Sequence, residues 1–314
     1  MLASGPRPFR FGIQASRAGS RAEWVALARR VEAEGYSSLT MPDHFSDSLA
    51  PVPALMCAAD ATDRLRVGAL VWNNDLRHPL VLAKELATMD LLSDGRVDVG
   101  LGAGWELADY RQSGLAYDAP GVRLDRFEEA LTIMERAFSG EPFSFLGDHY
   151  QIDRHEGRPA PVQRPHPPFV IGGGGPRVLA IAARVADVVS INLTLTNGAI
   201  DQAALESVSA AAVERKIGLV REAAGERLPD IELSVRPFVA LITDDRRREA
   251  ERLAASMSTT ADELLSTPFA VIGTASQIAD DLRRRRERWG FSYVLFGPAE
   301  MDAMAPVVAE LSGT

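Results

Sequence analysis

Apolar positions along this chain switch repeatedly between two periods. Short unbroken apolar runs alternate with stretches in which apolar residues return every third or fourth position. Phe9–Gln14 reads as a buried strand. Trp24, Leu27, Ala28 and Val31 then fall at i, i+3, i+4 and i+7, one face of a helix. Ser20 and Glu23 give that helix a capping box, and Gly35 suits its stop. The same pattern predicts strands at 38–41, 66–72, 96–102, 169–171, 188–192, 231–242 and 292–296. Helices are predicted over 53–62, 78–92 and 201–224, from Pro176 onward, from the Thr274/Gln277 capping box to Trp289, and at the end of the chain. After the fourth strand, Leu124, Phe127, Leu131, Met134 and Phe138 mark a longer helix. Residues 143–152 read as a hairpin turning at Gly147-Asp148, and the proline-rich stretch Arg158–Pro168 as an irregular connection.

Strands and helices in strict alternation over 314 residues predict an α/β fold, a (β/α)8 TIM barrel with insertions. An open doubly wound sheet is the alternative. No linker divides the chain, so 1–314 reads as a single domain, with the segment after the seventh strand as an insertion.

Composition narrows the function. With 46% apolar and 25% charged residues, a large core can be buried without staples. A net charge of −9 argues against a nucleic-acid partner. The basic run Arg283–Arg286 sits on a helix and reads first as a solvated face, second as an anchor for an anionic coenzyme tail. The opening stretch Met1–Gln14 holds no apolar run long enough for a leader. No window approaches the roughly 18 apolar residues of a membrane span, so a cytoplasmic protein without membrane partners is expected. Cys57 reads as a buried, inert thiol. The five histidines are scattered without metal-ligand spacing, so no metal is expected.

In such barrels chemistry gathers at the C-terminal ends of the strands. After the second strand stands Pro42-Asp43-His44. The histidine there can relay a proton or hydrogen-bond a ring carbonyl, or it can cap a loop through Asp43. After the third come Trp72, Asn73 and Asn74: donors and a wall for a planar heterocycle, or a turn. After the fourth, Gly100–Trp105 lets a flat ring lie close to the backbone, or serves a tight turn. The sharpest signal is Ile171-Gly172-Gly173-Gly174-Gly175-Pro176-Arg177: strand, glycine loop, helix start. Free amides and an arginine there suit a phosphate. Arg177 breaks the dinucleotide fingerprint, which favours a monophosphate or phosphodiester handle over NAD.

Four ordered blocks, Met41–Phe45, Val67–Pro79, Leu91–Trp105 and Pro168–Arg177, together resemble the luciferase-like monooxygenase superfamily. Ile272-Gly273-Thr274 ahead of a helix is similar too. Asn73–Pro79 and Gly172–Gly175 more narrowly resemble an actinobacterial subgroup assigned to the deazaflavin coenzyme F420. The resemblance implies an often homodimeric barrel with the coenzyme ring at the strand ends. It implies a non-proline cis peptide at Leu70–Val71 supporting that ring, with Asn73, Gly104 and Gly172 beside it. The phosphate falls to Gly173, Gly174 and Arg177. His44, with Asp43, matches the active-site histidine. Trp105 stands where relatives that oxidise sugar phosphates carry a glutamate, and Glu106 is expected to point elsewhere. The implied activity is F420-dependent hydride transfer to a small organic substrate, an activated double bond or imine, in a pocket shaped by Trp72, Trp105 and Tyr110. An FMN-dependent monooxygenase using O2 and a non-catalytic flavin-binding protein are the alternatives.

Overall fold

The computed structural model describes residues 6–257 and 259–314; residues 1–5, which begin the N-terminal stretch read above, and Ser258 lie outside the described residues. Strands run β1 (Arg10–Gln14), β2 (Ser38–Met41), β3 (Arg66–Ala69), β4 (Trp72–Asn73), β5 (Val97–Gly102), β6 (Pro142–Leu146), β7 (Gln151–Glu156), β8 (Phe169–Gly173), β9 (Val188–Ile191), β10 (Glu232–Val235), β11 (Val239–Ile242), β12 (Ala270–Gly273) and β13 (Phe291–Phe296). Helices run α1 (Arg21–Ala33), α2 (Pro51–Asp60), α3 (Pro79–Leu92), α4 (Leu107–Ser113), α5 (Pro120–Ser139), α6 (Pro176–Val185), α7 (Gln202–Glu206), α8 (Ala210–Ala224), α9 (Arg246–Ser256), α10 (Ala261–Ser266), α11 (Ala275–Trp289) and α12 (Met301–Leu311). Parallel pairing runs β3-β2-β1-β13-β10-β9-β8-β5, and β5 pairs back to β3, closing an eight-staved (β/α)8 barrel. β4 continues the stave of β3 after a break at Leu70 and Val71.

Alternation along each stave sorts its side chains. On β1, Phe11 and Ile13 pack outward into the main core with Trp24, Ala28 and Val31 of α1. Arg10, Gly12 and Gln14 face the lumen. At the bottom of the lumen Arg10 reaches both Glu232 oxygens, Oε1 at 3.0 Å from Nε and Oε2 at 2.7 Å from Nη2, and stacks 3.6 Å over the Tyr293 ring. Arg66 holds Asp98 beside them at 2.6 Å. One level up, Ser38 meets the Tyr293 hydroxyl at 2.6 Å. Gln14 reaches the top and donates to the carbonyl of Leu70 at 2.7 Å.

Several expectations need correction. The stretch 231–242 is two strands: β10 ends in the barrel at Val235, and β11 leaves it to pair with β12. Pro237 interrupts any continuous ladder, since it has no N–H to give. With α9 and α10 this pair buries its own small core around Ala250, Leu264 and Ile272, the insertion anticipated after the seventh strand. The helix expected over 201–224 breaks into α7 and α8, because Ser209 starts a new cap. At α1 only half of the capping box forms: Ser20 caps Glu23, but the Glu23 carboxylate accepts from Gly19. Nor is the run 283–286 simply a solvated face. Arg285 is buried, donating to the carbonyl of Ala270 at 2.7 Å and so tying α11 to β12. Arg286 bonds the carbonyl of Thr314 at 2.6 Å, far from any coenzyme. The hairpin turns at Gly147-Asp148 as expected. Among the described residues no helix is long and apolar enough to cross a membrane.

Glu232→Ala takes from Arg10 its hydrogen-bonded carboxylate and leaves only Asp98, 3.7 Å away, and the expected loss is about 3 kcal/mol, the low end for a broken buried pair. Urea unfolding measures it. The paired variant R10M/E232L should recover most of the loss; an equal loss in the pair argues that the ions do not set this cost.

Candidate active site

A cavity of about 430 Å³ opens at the mouth of the barrel, floored by the C-terminal ends of its staves. Gln14, His44, Leu70, Val71, Gly102, Gly172, Ser190 and Arg236 come to it from different staves or the loops after them, and Pro120, Arg123 and Leu124 cover it from α5. The Leu70–Val71 peptide is cis, as the resemblance implied. Val71 lies against the backbones of β5 and β8: a Cβ on Gly102 would lie 2.5 Å from Val71 Cγ2, and one on Gly172 3.0 Å from Cγ1. This side of the cavity is a smooth wall of Val71 and bare backbone, a surface a flat ring can lie on.

Beyond that wall the glycine loop has one-sided hydrogen bonding. Its carbonyls are used: Gly173 accepts from the Asn192 amide at 2.9 Å, Gly174 from Thr194 Oγ1 at 2.9 Å, and Gly175 from the Leu179 amide at 3.1 Å. Its donors are not. Among the described residues the amides of Gly174, Gly175, Arg177 and Val178 meet no acceptor, and the N-cap Gly175 has no side chain to offer one. Pro176 has no amide to waste at the first helical position. Free amides at the positive end of a helix form an anion site. Glycine is required at 174 because a Cβ there would overlap the carbonyl oxygens of Asn192 and Leu193. Lys216 of α8 supports that contact, donating from a buried Nζ to the Asn192 carbonyl at 2.6 Å.

Across the mouth stands His44. Its Nδ1 lies 2.6 Å from Asp109 Oδ2 and 3.1 Å from Glu106 Oε2. A carboxylate only accepts, so Nδ1 carries the proton and neutral His44 presents Nε2 as an acceptor. Nε2 bonds nothing among the described residues, and the ring lines the cavity. The Phe45 amide donates to Asp109 Oδ1 at 3.0 Å and holds the carboxylate in place. The three side chains put one ligand atom each within 4.8 Å of one another. Their 2.6 Å contact is a hydrogen bond, however, whereas two ligands on a tetrahedral zinc stand about 3.3 Å apart. The group would have to spread to hold an ion. Trp105 meets the imidazole edge-on, with centroids 5.8 Å apart.

The other expected site residues divide. Leu70, Val71, Asn73, Gly104, Gly172, Gly173, Gly174 and Trp105 line the cavity. Gly104 needs its φ of +75°, and a side chain there would strike Tyr110 and Asn73. Asp43 reaches the cavity but is not the partner of His44. It accepts from Arg77 at 2.6 and 3.2 Å and from the Asn73 amide at 3.0 Å, so its role is to fix the loop after β4. Trp72 and Tyr110 do not shape the pocket. Trp72 is fully buried in the core, and Tyr110 is buried beneath Gly104 with its hydroxyl donating to Asp75 at 2.8 Å. Arg177 lines the cavity, but its guanidinium is bound to Asp125 and Glu128 of α5 at 2.5 and 2.6 Å, leaving its amide as the free donor. Glu106, expected to point away, faces His44, since at the N-cap of α4 its side chain caps nothing.

Gln14, Arg236, Asp109, Arg123 and Lys216 escaped the sequence reading. Gln14 closes β1 and Arg236 follows β10, so ending the seventh strand at its proline would have exposed the arginine. Asp109, Arg123 and Lys216 lie on helices, where no local pattern separates them from surface charges.

A family model described as luciferase-like monooxygenase matches residues 7–293. An FMNH(2)-dependent dimethylsulfone monooxygenase of Pseudomonas putida is 29% identical over 222 residues, 69% of this chain and 54% of that protein. An F420-dependent glucose-6-phosphate dehydrogenase of Nakamurella multipartita is 31% identical over 194 residues, 58% of this chain and 56% of that protein. The chain thus spans about half the length of these curated relatives. Among solved structures, an F420-dependent secondary alcohol dehydrogenase in complex with an F420-acetone adduct superposes with a TM-score of 0.75 at 19% identity, covering 97% of this chain and 98% of that one. A long-chain alkane monooxygenase gives a TM-score of 0.75 at 13% identity, covering 97% and 91%.

Burial lowers the Lys216 ammonium from 10.5 to about 8, with Arg215 adding repulsion. Between those two values the unfolded chain binds the extra proton. The folded state therefore gains stability as pH rises from about 8, by up to about 3 kcal/mol over the whole interval. Comparing urea melts at pH 8.0 and 9.5, wild type should stabilise relative to Lys216→Met. Parallel pH trends in the two proteins would refute the assignment.

Proposed function

The chain belongs to the luciferase-like monooxygenase family, and from that premise we propose that it is a coenzyme F420-dependent oxidoreductase acting on an activated double bond or imine of a small organic substrate. One observation carries the reading. A histidine with Nδ1 held by a carboxylate and Nε2 open shares a mouth with four unsatisfied helix-start amides. The residues fit the coenzyme. The amides of Gly174, Gly175, Arg177 and Val178 would take its first phosphodiester, and Val71, Gly102 and Gly172 would lie against its ring. When bound, the deazaflavin supplies a hydride equivalent; the chain supplies position and a proton.

With Nδ1 kept protonated by Asp109, Nε2 of His44 is the atom that takes up and hands over the proton, facing the cavity. Asp109 stabilises the imidazolium and fixes its ring plane, as an orienting carboxylate does for a general acid–base. Glu106 places a second carboxylate 3.1 Å from Nδ1, on the same side of the ring as Asp109's contact. Trp105, Leu124 and Phe238 line the cavity with apolar surface that displaces water around the reacting atoms.

The Pseudomonas putida relative favours a second reading, reduced FMN used with O2. Fluorescence titration with F420 and with FMN separates the two: F420 is expected to bind more tightly, and tighter FMN binding with oxygen uptake would decide for the monooxygenase. Gly174→Ala should weaken binding of either by at least about tenfold, near 1.4 kcal/mol, with the circular dichroism spectrum retained. In turnover assays on a panel of activated alkenes and imines, His44→Ala is expected to lower kcat by about 10²–10⁴. Asp109→Asn should also lower kcat and shift the pH profile while leaving coenzyme affinity in place. Full turnover by either variant would remove the dyad from the mechanism.

A further inference from the structure

Three arginines line the mouth cavity, and two are committed. Arg123 donates to the Gly104 carbonyl at 2.6 Å. Arg177 grips its two acids on α5. Among the described residues the buried Nε of Arg236, just past the end of β10, has no acceptor, and no carboxylate lies within ion-pair distance of its guanidinium. Glu300 is the acid whose charge acts on it, and Gly297 adjoins both side chains. A Cβ built there would stand 2.5 Å from Glu300 Oε2 and 3.7 Å from Arg236 Nη2. Burial pulls the guanidinium below its usual range, and Glu300 offsets this only in part. A guanidinium keeps its proton, so the cost of a desolvated, unpaired cation falls when an acceptor arrives from outside.

Its place around the barrel says which acceptor. The glycine loop follows β8, the cis peptide lies between β3 and β4 on their shared stave, and His44 follows β2. The wall suited to a flat ring therefore spans the arc β8-β5-β3-β2. Arg236 stands on the complementary arc β9-β10-β13-β1, two staves from the glycine loop and three from His44. Two residues on, Phe238 lines the same cavity, as does Ile200, and they are 42% and 57% exposed. Phe238 is braced on Phe269, with centroids 5.1 Å apart.

We propose that Arg236 anchors an organic oxyanion, a carboxylate or sulfonate, on a substrate whose remaining body is apolar. The inference rests on the reading of the glycine loop and the Val71 wall as the coenzyme's side of the mouth. It narrows the substrate from any activated double bond or imine to one joined to an acid group, held at one end by Arg236 while its reacting atoms face His44.

Calorimetric titration tests this without turnover. Benzoate, cinnamate and benzenesulfonate are compared with benzamide, cinnamamide and benzenesulfonamide on wild type, Arg236→Ala and Arg236→Lys. F420 and FMN are titrated in parallel on the same proteins. Wild type should prefer the acids by about tenfold or more, Arg236→Ala should reduce the preference to below about twofold, and Arg236→Lys should fall between them. Coenzyme affinity should hold in all three. No acid preference in wild type, or a preference that survives Arg236→Ala, overturns the proposal. A tenfold loss of coenzyme affinity in Arg236→Ala assigns the arginine to the coenzyme's anionic tail and overturns it too. Wild type that binds neither coenzyme defeats the functional reading instead, and the acid preference still reports on Arg236.

Discussion

Gly174 packs against the end of β9 so closely that no side chain fits between them, and the polarity of the whole mouth follows from that contact. With the two backbones pressed together, the loop spends its carbonyls on β9 and the residues after it and on the first turn of α6. The amides are left pointing the other way. A helix start ordinarily finds a side-chain cap for one of them; here glycine at the N-cap and proline after it leave the donors open. Lys216 matters for the same reason. A buried ammonium with one acceptor among the described residues is an expensive prop, and its bond to the Asn192 carbonyl shows what it props.

The lumen repeats this division between spent and unspent groups from bottom to top. On β10 the inward residues are Glu232, Ser234 and Arg236. Glu232 is saturated by Arg10, with Ser292 at 3.3 Å. Ser234 is fully buried, and among the described residues its hydroxyl has no partner. Arg236 reaches the cavity with its charge unclaimed. Ion pairs that plug the base of the barrel let the staves close without a large apolar filling, and the top is left hollow. A lumen filled with large apolar side chains to its rim would leave nowhere for a ring to lie.

Most of the barrel was legible in the sequence because closed parallel sheets bury both faces of every stave, and buried staves read as apolar runs. The glycine loop was legible for a related reason: four glycines in a row announce a backbone that must approach something. The misreadings share one cause. Trp72 and Tyr110 were placed in the pocket by chain position, but whether an aromatic beside a strand end turns inward or outward depends on packing that local sequence does not encode. Arg177 sits where expected, yet its long side chain follows the acids of α5, some fifty residues away in the chain. Asp109 was invisible because a carboxylate in a short helix looks the same whether it faces solvent or a histidine sixty-five positions earlier.

Asp43 and Asp109 show how such a choice is decided. Asp43 adjoins His44 in the chain, and adjacency made it the natural partner. It is also gripped by Arg77, whose two nitrogens take both of its oxygens, and an aspartate so occupied has little left to offer an imidazole. Asp109 pairs with no arginine among the described residues. The Phe45 amide takes one of its oxygens and leaves the other for His44. The arginine that removes Asp43 from the chemistry thereby frees the histidine to be oriented from α4. Held from that side by Nδ1, the imidazole can present only Nε2 to the cavity, so the identity of its partner fixes which atom handles the proton.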